Sequence, residues 1–82
     1  MSKIKLVVLD ENTLAYIIPE RPTQAYALRS SIIKGSHHKD GDMISLRFCT
    51  KVRLAGAQDF DAYRVVFDGY RNNPKQYEFA TT

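Results

Sequence analysis

The sequence predicts an α+β domain. It is a two-layer sandwich in the order ββαβα, whose mainly antiparallel sheet carries two helices on one face. Three observations lead there. Residues 3–18 hold two β-prone runs parted by a short turn, residues 43–54 alternate apolar and polar throughout, and residues 60–70 carry aromatics at helical spacing.

The first run is "KIKLVVL". Ile4, Leu6 and Val8 fall on one face and Lys3 and Lys5 on the other, the period of two of a half-buried strand. "DEN" supplies the turn, with Asn12 the residue most tolerant of a left-handed backbone. "TLAYII" resumes with Leu14, Tyr16 and Ile18 on one face, so the two runs form a hairpin. Pro19 and Pro22 stop it, because proline cannot donate to a ladder.

A helix is expected next. Thr23 is suited to an N-cap, Ala25, Leu28 and Ile32 recur at spacings of three and four, and Gly35 stands where a left-handed residue closes a helix. The third strand is "MISLRFCTKVRL". Its even positions, Ile44 to Leu54 with Phe48 among them, are assigned to the core beneath the helices; Met43, Arg47, Lys51 and Arg53 are assigned to the wet face. Twelve residues exceed an ordinary strand, so a bend or break is expected near Thr50. In the second helix, Phe60, Tyr63, Phe67 and Tyr70 form a stripe with Val66 beside it, and Asp59 and Asp61 sit at the favourable N-terminal end. Asn72, Asn73 and Pro74 end it, "KQYEF" has the makings of a short C-terminal edge strand, and residues 79–82 are expected to fray.

The 82 residues are enough for one core and too few to divide, so residues 1–82 are expected to form one compact domain. Nine aromatics spread along the chain exclude disorder. The N-terminal apolar run ends at Asp10, too soon for a secretory segment, and no stretch approaches a membrane span. With the lone Cys49, this predicts a reduced, cytoplasmic protein with no membrane association.

Both histidines lie in "GSHHKDGD", residues 35–42. His37 and His38 point to opposite sides of an extended segment, and His38, Asp40 and Asp42 lack a further ligand at a recognised spacing. A nucleotidyltransferase reading fails because the acids follow the Gly-Ser too closely, with Gly41 between them. A calcium loop fails because residues 43–51 contain no acid. The stretch reads as a solvated turn, and a metal-dependent enzyme built on it is the weakest of the functional readings. No nucleophilic or phosphate-binding motif occurs, no histidine shares a strand with Cys49 to activate it, and no cofactor or small-molecule substrate is implied.

Two non-catalytic readings remain. Val7, Leu9 and Ile17 face away from the expected helices, and an uncovered apolar patch there would take a protein partner or make a homodimer. This is the preferred function: an interaction or regulatory module. The alternative is nucleic-acid binding through a basic outer face of Lys3, Lys5, Arg47, Lys51 and Arg53. Residues 29–53 hold six basic side chains against Asp40 and Asp42, a net of +4. Against that reading, sheet-surface readers of single strands stack bases on exposed aromatics, and periodicity assigns Phe48 to the core. Charged residues on an outer face also serve to keep strands from pairing with other chains.

Overall fold

A computed structural model describes residues 3–30, 35 and 38–80. It has a mixed α+β fold, with a six-stranded, mostly antiparallel sheet and two short helices. The strands are β1 (Ile4–Leu9), β2 (Thr13–Ile17), β3 (Gln24–Ser30), β4 (Met43–Ser45), β5 (Val52–Leu54) and β6 (Tyr77–Glu78). The helices are α1 (Ala57–Ala62) and α2 (Asp68–Arg71), and a single 3-10 turn, Leu46–Phe48, joins β4 towards β5.

The hairpin forms as expected, with Lys5 opposite Ile17 and Leu9 opposite Thr13. Its turn differs in detail. Asp10 (φ 51°) and Glu11 (φ 58°) take the left-handed conformation, and the Asn12 N–H donates to the Leu9 carbonyl at 3.0 Å. Two consecutive positive φ values match the right-handed twist of the flanking strands.

Residues 24–30, expected to be helical, form the strand β3 instead. Ala25 and Ala27 are buried on one face, Tyr26 and Leu28 are half-buried on the other, and β2 and β4 pair with the two edges. Alanine favours helix in isolation, but packed on both faces and paired on both edges the segment follows its period of two. The remainder of the expected helix, residues 31–34, lies outside the described residues. Gly35 is left-handed (φ 94°), without a described helix to close.

The sheet runs β4-β3-β2-β1-β5, with β6 parallel to β1 beside β5. Chain neighbours β4 and β5 therefore stand at opposite ends, which is why residues 43–54 cannot form one strand. The break at residues 46–51 carries the chain across, and it includes Thr50. A register shift between Leu14 and Ala15 opposite β3 adds twist, as bulges do. The sheet curls until Ile44 of β4 and Leu54 of β5 pack on the same cluster as Val7 and Leu9.

That curl gives the sheet two cores. Leu6, Val8 and Leu14 pack with Phe60 and Tyr63 under the helices, joined by Phe67, Tyr70, Tyr77 and Phe79. Val7, Leu9, Ala15, Ile17, Ala25, Ala27 and Ile44 fill the concave face. Residues 6–9 of β1 are thus buried on both sides, at about 1.5–3 kcal/mol per large apolar side chain. Val7, Leu9 and Ile17 do face away from the helices, but they are 2 %, 2 % and 7 % exposed, so the expected apolar patch is interior.

The aromatic stripe survives a break in its helix. α1 ends at Ala62 with Tyr63 as its C-cap, Arg64 turns left-handed (φ 57°), and α2 starts again at Asp68. Phe60 still meets Phe67 at 4.6 Å and Tyr70 at 5.3 Å between ring centroids. Val66 is the exception, 75 % exposed. The Asp59 carboxylate accepts the Gly56 N–H at 2.9 Å, securing the start of α1. Phe79 and Ala80 are engaged rather than frayed: Phe79 packs edge-on against Phe67, and the Ala80 N–H donates to the Ala55 carbonyl at 2.8 Å. No helix among the described residues is long and apolar enough to cross a membrane.

Candidate functional site

The mouth of the concave face is a groove of about 900 Å³, open to solvent. Val7, Ile17 and Leu54 form its floor, Pro19, Pro22 and Leu46 one wall, and Lys3, Lys5, Arg53 and Glu78 its charged surroundings. The strand pattern explains the mixture. Lys3 and Lys5 share the face of Val7 and Leu9, so the β1 face turns from apolar to cationic where the curled sheet opens. Among the described residues neither lysine forms an ion pair.

One wall of the groove ends in backbone. β5 pairs with β1 with Val7 opposite Leu54 and Leu9 opposite Val52. The Asp10 N–H donates to Lys51 and the Ala55 N–H to Leu6, so in the alternating antiparallel pattern Arg53 is the residue whose N–H and C=O face β1. Val52 and Leu54 aim theirs outward, and among the described residues no backbone partner meets them there. The Val52 side chain is 43 % exposed beside this edge.

Of the five basic residues expected on one outer face, Lys3, Lys5 and Arg53 border this groove, while Arg47 and Lys51 lie on the β4–β5 connection. Arg53 has the helix side as its parity, opposite Val8, and is taken up by acids. Its Nε donates to Glu11 at 2.5 Å and its two terminal nitrogens grip Asp59 at 2.9 and 2.7 Å. The double contact raises the Arg53 pKa further, chiefly through the hydrogen bond to Asp59, and Arg53 in turn holds Glu11 below the usual carboxylate range. Arg53 therefore clamps the hairpin turn to α1, with its charge already compensated.

Phe48 is the main surprise. Parity assigned it to the core; it is 78 % exposed on the 3-10 turn, with the Arg47 guanidinium 5.4 Å from its ring centre. Leaving the strand geometry at Leu46 removed the parity argument for every residue up to Lys51. The alternation in the sequence gave no signal of that exit.

The histidine-containing stretch forms a turn at Lys39–Asp42. Gly41 is left-handed (φ 88°), the Asp42 N–H donates to the Lys39 carbonyl at 3.0 Å, and the Asp42 carboxylate accepts the Lys39 N–H at 2.8 Å. Asp40 lies 3.6 Å from Arg29 in an exposed ion pair. His37 lies outside the described residues. Among the described residues no group of three or more His, Cys, Asp and Glu converges as metal ligands would. Cys49 is half-buried against the concave core, and burial, then the Asp10 charge, push its thiol pKa up, away from nucleophilic character.

Fold and groove together define a small α+β domain whose curled sheet presents an open, apolar-floored cleft beside a strand edge that has no backbone partner among the described residues. Comparison with protein-family models, curated proteins and solved structures gives no match for the chain.

Proposed function

We propose that this protein is a small non-catalytic interaction module that holds a segment of a protein in the groove at the mouth of its curled sheet. The groove carries the reading: it combines an apolar floor, a cationic rim and an available strand edge. Its volume of about 900 Å³ is at the upper end of ligand pockets, roughly 300–1,000 Å³. Being open, with a β5 edge along it, it suits an extended chain better than an enclosed small molecule. The interface first expected at Val7, Leu9 and Ile17 becomes the floor and support of this groove.

The test is selection of peptides from an unbiased displayed library on the wild-type protein and on Val52→Arg, a substitution at an exposed position that leaves the core intact. Peptides enriched on the wild type and lost on the variant support the reading. Failure to enrich any peptide, or equal capture by both proteins, overturns it.

Nucleic-acid binding is favoured by one observation of its own. Phe48 offers an exposed aromatic face, with Arg47 over it and Lys51 on the same connection, the combination that base stacking requires. Fluorescence anisotropy with labelled oligothymidylate at low salt tests it. Binding that weakens as salt rises and is lost in Phe48→Ala supports this reading, and no binding ends it.

A further inference from the structure

Resting on the reading of the groove as a protein-binding site, we infer that its occupant is an extended acidic segment of another protein, added as an antiparallel strand to the outer edge of β5. Two independent features lead to this. The first is the backbone. Val52 presents an outward N–H and C=O and Leu54 an outward N–H, while the Leu54 carbonyl accepts a long 3.4 Å bond from Arg53 Nη1 that an incoming strand would displace; together they form a short template complementary to that strand. Antiparallel pairs outnumber parallel ones roughly two- to three-fold, which sets the direction.

The second feature is charge. Lys3 and Lys5 stand beyond the Leu54 end of β5 without ion pairs among the described residues. Arg53 is compensated by Glu11 and Asp59, and among the described residues Glu78 is the acid that lines the groove beside the two lysines. Because β5 runs antiparallel to β1, a segment antiparallel to β5 brings its N-terminal end to Lys5 and Lys3. The occupant is therefore acidic at that end and β-prone and apolar after it, with alternate side chains on Leu54, Ile17 and Leu46. The same charges argue against a second copy of this chain through β5. Such a pairing would bring the two copies' Lys51 side chains close together, while Arg53 is already compensated.

The experiment is a titration of the 15N-labelled protein, followed through its backbone amides. The probe is a capped peptide in which two glutamates precede a valine- and threonine-rich run. The comparators are the same peptide with lysines for glutamates, the same peptide N-methylated on alternate residues, and oligothymidylate. The acidic peptide should move the amide signals of Val52, Leu54 and Lys5. N-methylation should abolish the effect by removing the pairing donors. The double substitution Lys3→Glu and Lys5→Glu should weaken binding about tenfold, as expected for two exposed ion pairs.

Equal binding of the lysine peptide overturns the charge assignment, and equal binding of the N-methylated peptide overturns strand addition. A stronger response of the same amides to oligothymidylate makes the groove a nucleic-acid site. Movement of those signals with protein concentration alone makes the occupant a second copy. If library-selected peptides occupy the groove but are basic or rich in proline, this inference falls while the protein-binding reading stands. If no peptide binds at all, both fall.

Discussion

Asp10 ties the β1–β2 turn to the chain entering β5, and its removal gives a graded test of how that side of the groove is held. Its carboxylate accepts the backbone N–H of Thr50 at 2.7 Å and of Lys51 at 2.8 Å, forty residues on, while its own backbone is left-handed (φ 51°). These bonds fix the β4–β5 connection against the hairpin turn and so place the β5 wall of the groove. At this exposed site each is worth about 1 kcal/mol, the ordinary net value of a hydrogen bond, because solvent removes the extra strength that a buried charged acceptor would give. Asp10→Ala loses both and holds an alanine in the left-handed region at about 1 kcal/mol more, a total near 3 kcal/mol. Asp10→Gly loses the bonds but relieves the backbone, so it should cost about 0.5–1 kcal/mol less than alanine. Asp10→Asn keeps a neutral acceptor and tolerates the conformation, leaving a loss of about 1 kcal/mol. The expected order of stability is aspartate, asparagine, glycine, alanine. Thermal and urea unfolding followed by circular dichroism measure it, with Asp10→Ala melting roughly 12–24 °C lower in a domain of this size. An alanine variant within about 0.5 kcal/mol of wild type, or a glycine variant less stable than alanine, would refute the reasoning.

Two further predictions use aromatic residues. Phe60→Ala should cost about 3–5 kcal/mol, because Phe60 is fully buried against Phe67 and Tyr70, whereas Phe48→Ala should change stability by less than about 0.5 kcal/mol. Urea unfolding of the two variants decides this, and a large loss at Phe48 would return that ring to the core. Burial first, and nearby Asp59 and Tyr77 respectively, raise the phenol pKa values of Tyr63 and Tyr70 above the ordinary 10. Their folded pKa values exceed the unfolded ones, so the stability they contribute is present below pH 10 and declines as pH rises through the folded values. Ultraviolet titration should show late-ionising tyrosines that revert to ordinary titration in urea; a single ordinary transition in the folded protein would contradict the burial.

Much of the fold can be read from the chain, and the misreadings share a cause. The hairpin, the aromatic stripe and the division of β1 into a helix-facing and an opposite face all follow from side-chain period. Period does not say whether an opposite face stays open. Val7, Leu9 and Ile17 were placed correctly in direction, yet the curl that covers them arises from a bulge at Leu14/Ala15 and a crossing between the sheet's ends, both tertiary. In residues 24–30 Ala25 fits a helical spacing with Leu28 and a strand alternation with Ala27 alike, and only the flanking strands decide. Lys3 and Lys5 were recognised as cationic from sequence, but their position at a groove depends on Pro19, Pro22 and Leu46 arriving from elsewhere. Arg53 was grouped with them by parity, and no local pattern announces its contacts with Glu11 and Asp59.

The most direct measurement is native-state hydrogen exchange along residues 51–55. An unpaired β5 edge predicts a slowly exchanging Arg53 amide, hydrogen-bonded to β1, between rapidly exchanging Val52 and Leu54 amides, with residues 6–9 protected throughout. Protection of Val52 and Leu54 equal to that of Arg53 would mean that the edge is already covered, and the groove would lose the strand-pairing surface on which its function is argued.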